Sequence, residues 1–135
     1  MGLKGSEAMS CPFCERVQSH EYTAERDTAV AFPDTVPLTP GHTLVVPRRH
    51  VTHLSEFQPG ELTDLWLLGT DLCSELAREH GAAGFNLGIN LGQAAGQTIE
   101  HVHLHVIPRY EGDVEDPRGG IRWIIPERAP YWRER

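Results

Sequence analysis

Three histidines, His101, His103 and His105, stand two residues apart, with valine or leucine at the positions between them. Side chains alternate between the two faces of a β-strand. The imidazoles are therefore predicted to share one face beside water, and the aliphatic side chains to share the core face. Positions two apart in a strand are separated by about 6.6–7 Å, which lets neighbouring rings reach one small anionic group together.

This histidine pattern is typical of two chemistries. Histidines at such spacing bind metal ions in many His-x-His sites. In the other interpretation, one histidine is a nucleophile that the other two support. A metal-dependent hydrolase with all three histidines as ligands is disfavoured, because no Asp/His pair follows at bridging distance and Cys11 and Cys14 offer a metal better ligands.

The segment resembles the signature of the histidine triad (HIT) superfamily, which is His-x-His-x-His with apolar residues after it and Gly-Gln-Ser/Thr shortly before it. Here Gly96-Gln97-Thr98 precedes the histidines. The likeness extends over residues 11–126 and is strongest to the bacterial branch that begins with Cys-Pro-x-Cys. It implies an α+β, HIT-like fold with a mainly antiparallel sheet and one long helix, paired as a homodimer.

The resemblance also implies a nucleotidyl hydrolase or transferase that acts at the α-phosphate of a nucleotide conjugate, such as a phosphoramidate or a dinucleoside polyphosphate. A neutral imidazole is a nucleophile near neutral pH, and it meets no charge repulsion from an anionic phosphate. We therefore predict a covalent nucleotidyl-His103 intermediate, with His105 stabilising or orienting the phosphate. The alternative is a non-catalytic nucleotide-binding regulator of the same fold.

Six further residues match positions or groups with which the family binds nucleotide. They are Phe32, Asp34, His42, Asn90, Gln97 and Thr98. Phe32 and Asp34 match the family's Phe-x-Asp element. The resemblance implies that the aromatic ring lines the base pocket and that the carboxylate accepts hydrogen bonds from both ribose hydroxyls. Asn90 corresponds to an asparagine on the phosphate and ribose side, and His42 to a histidine beside the triad. Gln97 and Thr98, with nearby backbone N–H groups, are predicted to hold the phosphate.

The pair Cys11-x-x-Cys14 indicates a metal clip or a redox pair. A tetrahedral structural zinc needs two more ligands, for which His50 and His53 compete, with a fourth from the histidine strand. The resemblance assigns the set Cys11, Cys14, His50 and His101. Zinc would then fasten the N-terminal segment to the catalytic strand, and its role is predicted to be structural.

Composition limits the possible partners. The 135 residues suffice for one domain, and the formal net charge of −7 argues against general attraction to nucleic acid or anionic membranes. Removal of adenylyl groups from DNA ends, an activity of other members of the superfamily, is disfavoured by the same excess of acidic residues. No apolar run approaches the length of a membrane span and no signal peptide is visible, so a cytoplasmic protein is expected.

Strands and one long helix must position these side chains. Two short strands are predicted around a turn in residues 21–32, followed by a β-branched strand at Thr43–Pro47. Pro59 as a first-turn proline and Gly81 as a stop bound a helix whose apolar residues recur at helical spacing. Residues 85–91 and 99–107 are predicted to form an antiparallel pair joined by a Gly-rich loop.

The predicted domain spans residues 11–126. Residues 1–10 are polar and without periodicity, and we expect a disordered tail there. Residues 127–135 are expected to form a C-terminal tail. Three arginines near the end of the domain, Arg109, Arg118 and Arg122, have two open interpretations, as contacts of the leaving phosphates or as solvated charges.

Overall fold

The computed structural model describes residues 11–134, so the predicted disordered tail at residues 1–10 lies outside it. Within this range, five antiparallel strands form one sheet, and one long helix packs on it, which confirms the predicted α+β architecture. The helices and strands are α1 (Pro12–Gln18), β1 (Ala24–Glu25), β2 (Ala29–Pro33), β3 (Thr43–Pro47), α2 (Pro59–His80), β4 (Gly84–Ile89) and β5 (Leu104–Arg109). The strands lie in the order β1-β2-β3-β5-β4.

Helix α2 begins and ends where its sequence signals predict. Gln58 is the N-cap of a capping box, and its backbone N–H donates to the Glu61 carboxylate at 2.9 Å. Pro59 occupies the first turn, where its missing N–H costs nothing. Gly81 ends the helix at φ 72°, a left-handed conformation that glycine adopts without steric penalty. These local signals explain why both helix boundaries were predictable.

One face of the sheet forms the main core with α2. Leu65, Leu68, Leu72 and Leu76 project from the helix at spacings of three and four residues and are buried. They pack against alternate sheet residues, among them Leu104 of the histidine strand. At Gly69 the helix approaches β5 so closely that an added Cβ would lie 2.9 Å from Leu104 Cδ2. The core therefore fixes the position of β5 from behind.

A second core cluster covers part of the opposite sheet face. Helix α1, which the sequence analysis did not predict, brings Phe13 and its flanking cysteines over Phe32 and Leu44. Each of these residues is less than one-tenth exposed. The cluster covers the end of this face where β2 and β3 lie, and it leaves the β4 end open.

The histidine strand was predicted to begin at residue 99, and this start was wrong. Regular strand β5 begins at Leu104, so His101 and His103 precede it. Val102 N–H donates to Val51 O at 2.7 Å, which pairs this stretch with the segment after β3. His101 is also fully buried, which corrects the expectation that all three rings face water. The predicted burial of the intervening aliphatic side chains is confirmed.

The segment after β5 continues along the open sheet face as three short 3-10 turns. These are Gly120–Ile124, Pro126–Arg128 and Tyr131–Glu134. Ala129, within the predicted C-terminal tail, is fully buried, and its carbonyl accepts from Arg122 Nε at 3.1 Å. Within residues 11–134, no helix is both long and apolar enough to cross a bilayer.

Candidate active site

The middle histidine is held in one tautomer by the backbone of the first. His103 Nδ1 lies 2.9 Å from the carbonyl oxygen of His101. Because a carbonyl can only accept, Nδ1 carries the proton and donates it. His103 Nε2 therefore retains a lone pair in the neutral ring. That nitrogen has the electronic requirement of a nucleophile at neutral pH.

Phe13, between the two cysteines, fixes the orientation of the same ring. Its aromatic ring meets His103 edge-on, with centroids 5.0 Å apart and planes at 73°. It makes a similar contact with His101 at 5.8 Å. Phe13 is 7% exposed, and it was not among the site residues predicted from the sequence. The signal available was its position inside Cys-x-x-Cys, which ties any metal clip to this aromatic ring.

His105 is oriented by a chain of hydrogen bonds through His42. The backbone N–H of Leu38 donates to His42 Nδ1 at 3.0 Å, so the proton of the neutral His42 ring sits on Nε2. His42 Nε2 lies 3.0 Å from His105 Nδ1 and donates to it. His105 therefore carries its own proton on Nε2. Its Nε2–H is the group that can donate to a phosphate oxygen.

Both rings of this pair are neutral at physiological pH. Burial lowers the pKa of His105 to about 4, and the nearby rings of His103 and His42 act in the same direction, while Asp34 opposes them. Burial also lowers the pKa of His42, again against the attraction of Asp34. The His42–His105 contact is therefore a hydrogen bond between neutral rings.

Asp34, His42 and His105 approach one another closely enough to be considered as metal ligands. The tautomer of His42 argues against this role. Its Nδ1 already accepts from Leu38 N–H, so a neutral ring has no lone pair left on Nε2. Asp34 Oδ2, 3.5 Å from His42 Nε2, is instead a second acceptor near that N–H group.

Four side chains predicted as zinc ligands converge between α1 and the histidine segment. Donor atoms of Cys11, Cys14, His50 and His101 all lie within 4.8 Å of one another. His101 Nδ1 is 3.4 Å from Cys11 Sγ and 3.5 Å from Cys14 Sγ. His50 Nδ1 is 3.2 Å from Cys14 Sγ. The rival His53 is exposed and lies outside this group.

The donor set fits a tetrahedral Zn²⁺ site of the Cys₂His₂ class. His101 Nε2 donates to the carbonyl oxygen of Pro47 at 2.9 Å, which leaves the lone pair of Nδ1 facing the sulfur atoms. Burial lowers the pKa of His101 to about 4, so this ring is neutral as a metal ligand must be. Burial and the neighbouring Cys11 raise the pKa of Cys14 to about 12, so a thiolate here requires a bound cation.

A cavity of about 1260 Å³ lies on the open sheet face, between the loop after β2 and the C-terminal segment. Four of the predicted site residues line it, namely Asp34, His42, Asn90 and His105. Alternation along β5 points His105, Ile107 and Arg109 into the cavity. His103 is not among the lining residues. Its ring is 8% exposed and lies 5.1 Å from the ring of His105 at the cavity edge.

Three of the predicted nucleotide-binding residues lie outside this cavity lining. Phe32 is 2% exposed and packs against Phe13 with ring centroids 5.5 Å apart. The Gln97 side chain bridges its own loop, accepting from Gly92 N–H at 2.8 Å and donating to Ile99 O at 3.2 Å. Thr98 is exposed on the same loop. The contacts of Gln97 therefore set the shape of the loop that leads to the histidines.

The three arginines left open by the sequence analysis are engaged with protein groups. Arg109 binds Asp113 through two nitrogens at 2.8 and 2.9 Å, and its third contact is the Asn86 side chain. Arg118 pairs with Asp116 at 3.0 Å and stacks over the ring of Trp132. Arg122 donates to backbone carbonyls within the C-terminal segment. These contacts order the segment that follows β5.

Comparison with known proteins identifies the family of this chain. The family model for the HIT domain matches residues 15–112. An uncharacterised HIT-like protein of Methanocaldococcus jannaschii is 38% identical over 108 residues, which cover 78% of this chain and 83% of that protein. The bis(5'-adenosyl)-triphosphatase of Dictyostelium discoideum is 34% identical over 114 residues, covering 84% of this chain and 76% of that enzyme.

A solved structure with a similar fold extends the likeness to almost the whole chain. The crystal structure of a zinc-bound histidine triad family protein from Mycobacterium smegmatis is 32% identical, with a TM-score of 0.70. The match covers 95% of this chain and 99% of that one. With a family model that spans well over half of the sequence, this chain belongs to the HIT domain family.

Proposed function

We propose that this protein is a nucleotidyl hydrolase or transferase that acts at the α-phosphate of a nucleotide conjugate through a covalent nucleotidyl-His103 intermediate. The observation that carries the proposal is the hydrogen bond from His103 Nδ1 to His101 O, at 2.9 Å. It leaves the lone pair of Nε2 free in a ring that Phe13 holds in one orientation.

The reaction divides one displacement at phosphorus into two. In the first step, His103 Nε2 forms a bond to the α-phosphorus while the bond from phosphorus to the leaving atom breaks. The leaving atom departs with that electron pair and takes a proton from water. In the second step, water or another hydroxyl compound attacks the phosphorus and gives its proton to the hydroxide left by the first step. The P–N bond to His103 breaks, and its electron pair returns to Nε2 as the lone pair of the ring.

His105 is proposed to stabilise the charge that develops on the phosphate oxygens. Its Nε2–H is available because His42 donates to Nδ1, and the ring is neutral at the pH of the reaction. Preorganised donors of this kind typically contribute about 10²–10³ in rate each. Asn90 and His105 line the same cavity, so both are proposed to contact the phosphate.

The remaining nucleotide contacts are proposals from the family pattern. Asp34, at the cavity wall, is proposed to accept hydrogen bonds from the ribose hydroxyls. Phe32 supports the base side through its contact with Phe13 rather than through an exposed ring. Gln97 and Thr98 are proposed to act through the loop that precedes the histidines. The Gln97 side chain sets the shape of this loop, and the backbone N–H groups of the loop are proposed to bind the phosphate.

The experiment is a substrate panel scored for released nucleoside monophosphate. The panel contains nucleoside phosphoramidates and dinucleoside polyphosphates, the second class being suggested by the Dictyostelium discoideum relative. Wild-type protein and His53→Ala, which changes an exposed histidine outside the site, are expected to turn over. His103→Ala is expected to lose turnover by several orders of magnitude. Nucleotide binding without turnover on every substrate would favour the alternative, a non-catalytic regulator.

A structural zinc at Cys11, Cys14, His50 and His101 is part of the proposal. The zinc-bound relative from Mycobacterium smegmatis supports it, as does the convergence of the four donor atoms. Zinc would cross-link α1 to the segment before β5 and would not contact the nucleotide. Thiolate ligands persist in a reducing compartment, which agrees with the cytoplasmic location that we propose.

We also propose that the protein is a homodimer. Strand β4 is an edge of the sheet in the described part of the chain, and the outer side of α2 exposes Leu62 and Trp66 at 37% and 40%. Adjacent exposed apolar side chains of this size are typical of a subunit contact. Sedimentation at micromolar concentration should give a dimer, and Trp66→Glu should shift it towards monomer. A wild-type protein that sediments only as monomer contradicts this proposal.

A further inference from the structure

The chain between β3 and α2 holds the segment that carries the first two histidines of the triad. The carbonyl oxygen of Val51 accepts the Val102 N–H at 2.7 Å, at the position between His101 and His103. Both Val51 and Val102 are fully buried, so water does not compete for this bond. His50, the residue before Val51, has its ring 5.2 Å from that of His101 and at 85° to it. Residues 50 and 51 therefore border both the proposed zinc ligands and the proposed nucleophile.

The bond to Val51 acts on the same peptide group that fixes the tautomer of His103. The N–H of Val102 and the C=O of His101 belong to one planar trans peptide, in which these two groups point in opposite directions. Val51 O accepts from the N–H, and His103 Nδ1 donates to the C=O at 2.9 Å. A rotation of this peptide would weaken both bonds together. The position of Val51 O therefore sets the direction of the carbonyl that keeps the His103 proton on Nδ1.

The chain from residue 48 to residue 58 is largely irregular. Strand β3 ends at Pro47, and the 3-10 turn Leu54–Glu56 is the one regular element before the N-cap of α2 at Gln58. An irregular stretch keeps one conformation only when contacts with other parts of the molecule offset its conformational entropy. Residues 50 and 51 therefore depend on side chains that tie this stretch to its neighbours.

Arg49 ties the stretch to the first turn of α2 through a forked contact with Glu61. Arg49 Nε donates to Glu61 Oε2 at 2.8 Å, and Nη2 donates to Oε1 at 2.7 Å. Nη2 also donates to the carbonyl oxygen of Glu56 at 2.9 Å. Because a guanidinium group is planar, two parallel bonds fix its direction as well as its distance. The fork therefore holds the chain at the residue next to His50.

Glu61 is a fixed anchor for this contact. It is 5% exposed, and its Oε1 also accepts the Gln58 N–H at 2.9 Å. The hydrogen bonds from Arg49 lower the pKa of Glu61, so the carboxylate is charged at neutral pH. Removing one partner of such a buried pair leaves an uncompensated charge, which is strongly unfavourable. Displacement of Arg49 is therefore opposed by the cost of leaving the Glu61 carboxylate unpaired.

We propose that Arg49 and Glu61 are positioning residues, whose forked contact holds residues 50 and 51 and through them the His103 ring. Neither side chain touches the substrate in this proposal. The fork fixes the chain one residue before His50, so it also limits where the Val51 carbonyl can lie. The inference rests on the proposed function, because it concerns the geometry from which His103 attacks.

The test compares Arg49→Leu with the wild type as full chains loaded with zinc, with a nucleoside phosphoramidate as substrate. We expect kcat to fall about ten- to hundredfold with KM nearly unchanged, because the nucleophile is misplaced and the binding groups are not. Zinc affinity, measured by competition with a chelator, should fall by about 10- to 100-fold, because His50 loses its fixed position. Nitrogen NMR of isotope-labelled histidines should show a single His103 tautomer in the wild type and a mixture of both in the variant.

Arg48→Leu is the matched control, because it removes the same charge one residue earlier. Arg48 reaches the turn between β1 and β2, where its Nη2 donates to Glu25 Oε1 at 2.6 Å and its Nε to Asp27 O at 2.8 Å. Like Arg49, it therefore has a carboxylate and a backbone carbonyl as partners. Its loss should lower Tm and leave kcat, zinc affinity and the His103 tautomer as in the wild type.

A double variant separates position from stability. In Arg49→Leu alone, the buried Glu61 carboxylate loses its partner, and Tm should fall. In Arg49→Leu combined with Glu61→Gln, no charge is left unpaired, and the glutamine can still accept the Gln58 N–H as in a capping box. Tm should therefore recover, whereas kcat and the tautomer mixture should remain as in the single variant.

Recovery of kcat together with Tm in the double variant overturns the inference, because the pair would then act through stability alone. The inference is equally overturned if Arg48→Leu loses as much kcat as Arg49→Leu, or if Arg49→Leu keeps a single His103 tautomer. No turnover by the wild type on any substrate of the panel contradicts the proposed function instead. The tautomer and the zinc affinity do not depend on turnover, so they still decide whether the fork positions His103.

Discussion

His103 Nδ1 lies 2.9 Å from the carbonyl oxygen of His101, the residue whose side chain faces Cys11 and Cys14. His101 thus links the proposed metal site to the proposed nucleophile. Its imidazole lies among the four candidate metal ligands, and its carbonyl oxygen accepts the hydrogen bond from His103 Nδ1. Phe13, between the cysteines, makes a second link through its ring contact with His103. The proposed ligand cluster therefore positions the His103 ring without contacting the Nε2 atom to which we assign the attack.

Zinc content and melting temperature test whether Cys11, Cys14, His50 and His101 bind zinc. Protein purified without added metal should contain about one equivalent of zinc, and chelation should lower Tm, because the metal ties α1 to the segment before β5. Cys14→Ala should lose the zinc. Cys73→Ala, which changes the half-buried cysteine on α2, should keep it. Less than about half an equivalent, with no change of Tm on chelation, would leave the cysteines without a metal role.

Asp34→Asn tests the ribose contact. The amide oxygen can still accept from Val36 N–H, as Asp34 Oδ1 does at 2.9 Å, so the loop should keep its shape. Loss of the charged acceptor should raise KM for ribonucleotide substrates by about tenfold, with a smaller effect on kcat. With the 2'-deoxy substrate the increase should be clearly smaller. An equal loss on both sugars would argue against ribose binding.

Substitution of His42 tests the orientation of His105. His42→Leu removes the N–H that donates to His105 Nδ1 at 3.0 Å, so the proton of His105 is no longer confined to Nε2. We expect kcat to fall about ten- to hundredfold with little change of KM. His42→Gln keeps an amide donor and should restore part of kcat. If both variants show only a raised KM, His42 contacts the substrate directly and does not act through His105.

The lowered pKa of His105 predicts a pH dependence of stability. Its pKa is about 4 in the folded protein, against an ordinary value of 6.5, so the unfolded chain binds more protons between these values. The free energy of unfolding should therefore fall as the pH is lowered from about 6.5 towards 4, and this contribution should be constant above 6.5. Denaturant titrations of wild type and His105→Gln should show a shallower fall in the variant. Identical slopes would mean that His105 does not contribute.

Local sequence signals were sufficient to predict the helices and strands whose ends are marked by their own residues. Strand β3 was predictable from the β-branched residues of Thr43–Pro47, and helix α2 from Pro59 at its start and Gly81 at its end. Strand propensity and helix capping both act over a few residues, so a local pattern is enough to reveal them. Spacing alone identified the histidines and Cys11-x-x-Cys14. The choice between His50 and His53 needed the family likeness, because both lie a few residues after β3.

Contacts between distant segments could not be obtained from the local pattern. The pairing of His42 with His105 depends on the register that sets Leu44 opposite His105, which no local pattern encodes. The late start of β5 has a similar cause, since Val102 donates to Val51 instead of joining the ladder. The place of Ile121 in the cavity depends on how the C-terminal segment folds back over β4.

Trapping of the covalent intermediate would show which histidine is the nucleophile. Wild-type protein is mixed rapidly with a nucleoside phosphoramidate, quenched in base, in which a phosphorus–histidine bond survives, and digested for mass spectrometry. We predict one nucleotidyl group, located on His103 and absent from the His103→Ala variant. Turnover by the wild type with the nucleotidyl group on His105, or with no adduct at any reaction time, would contradict it.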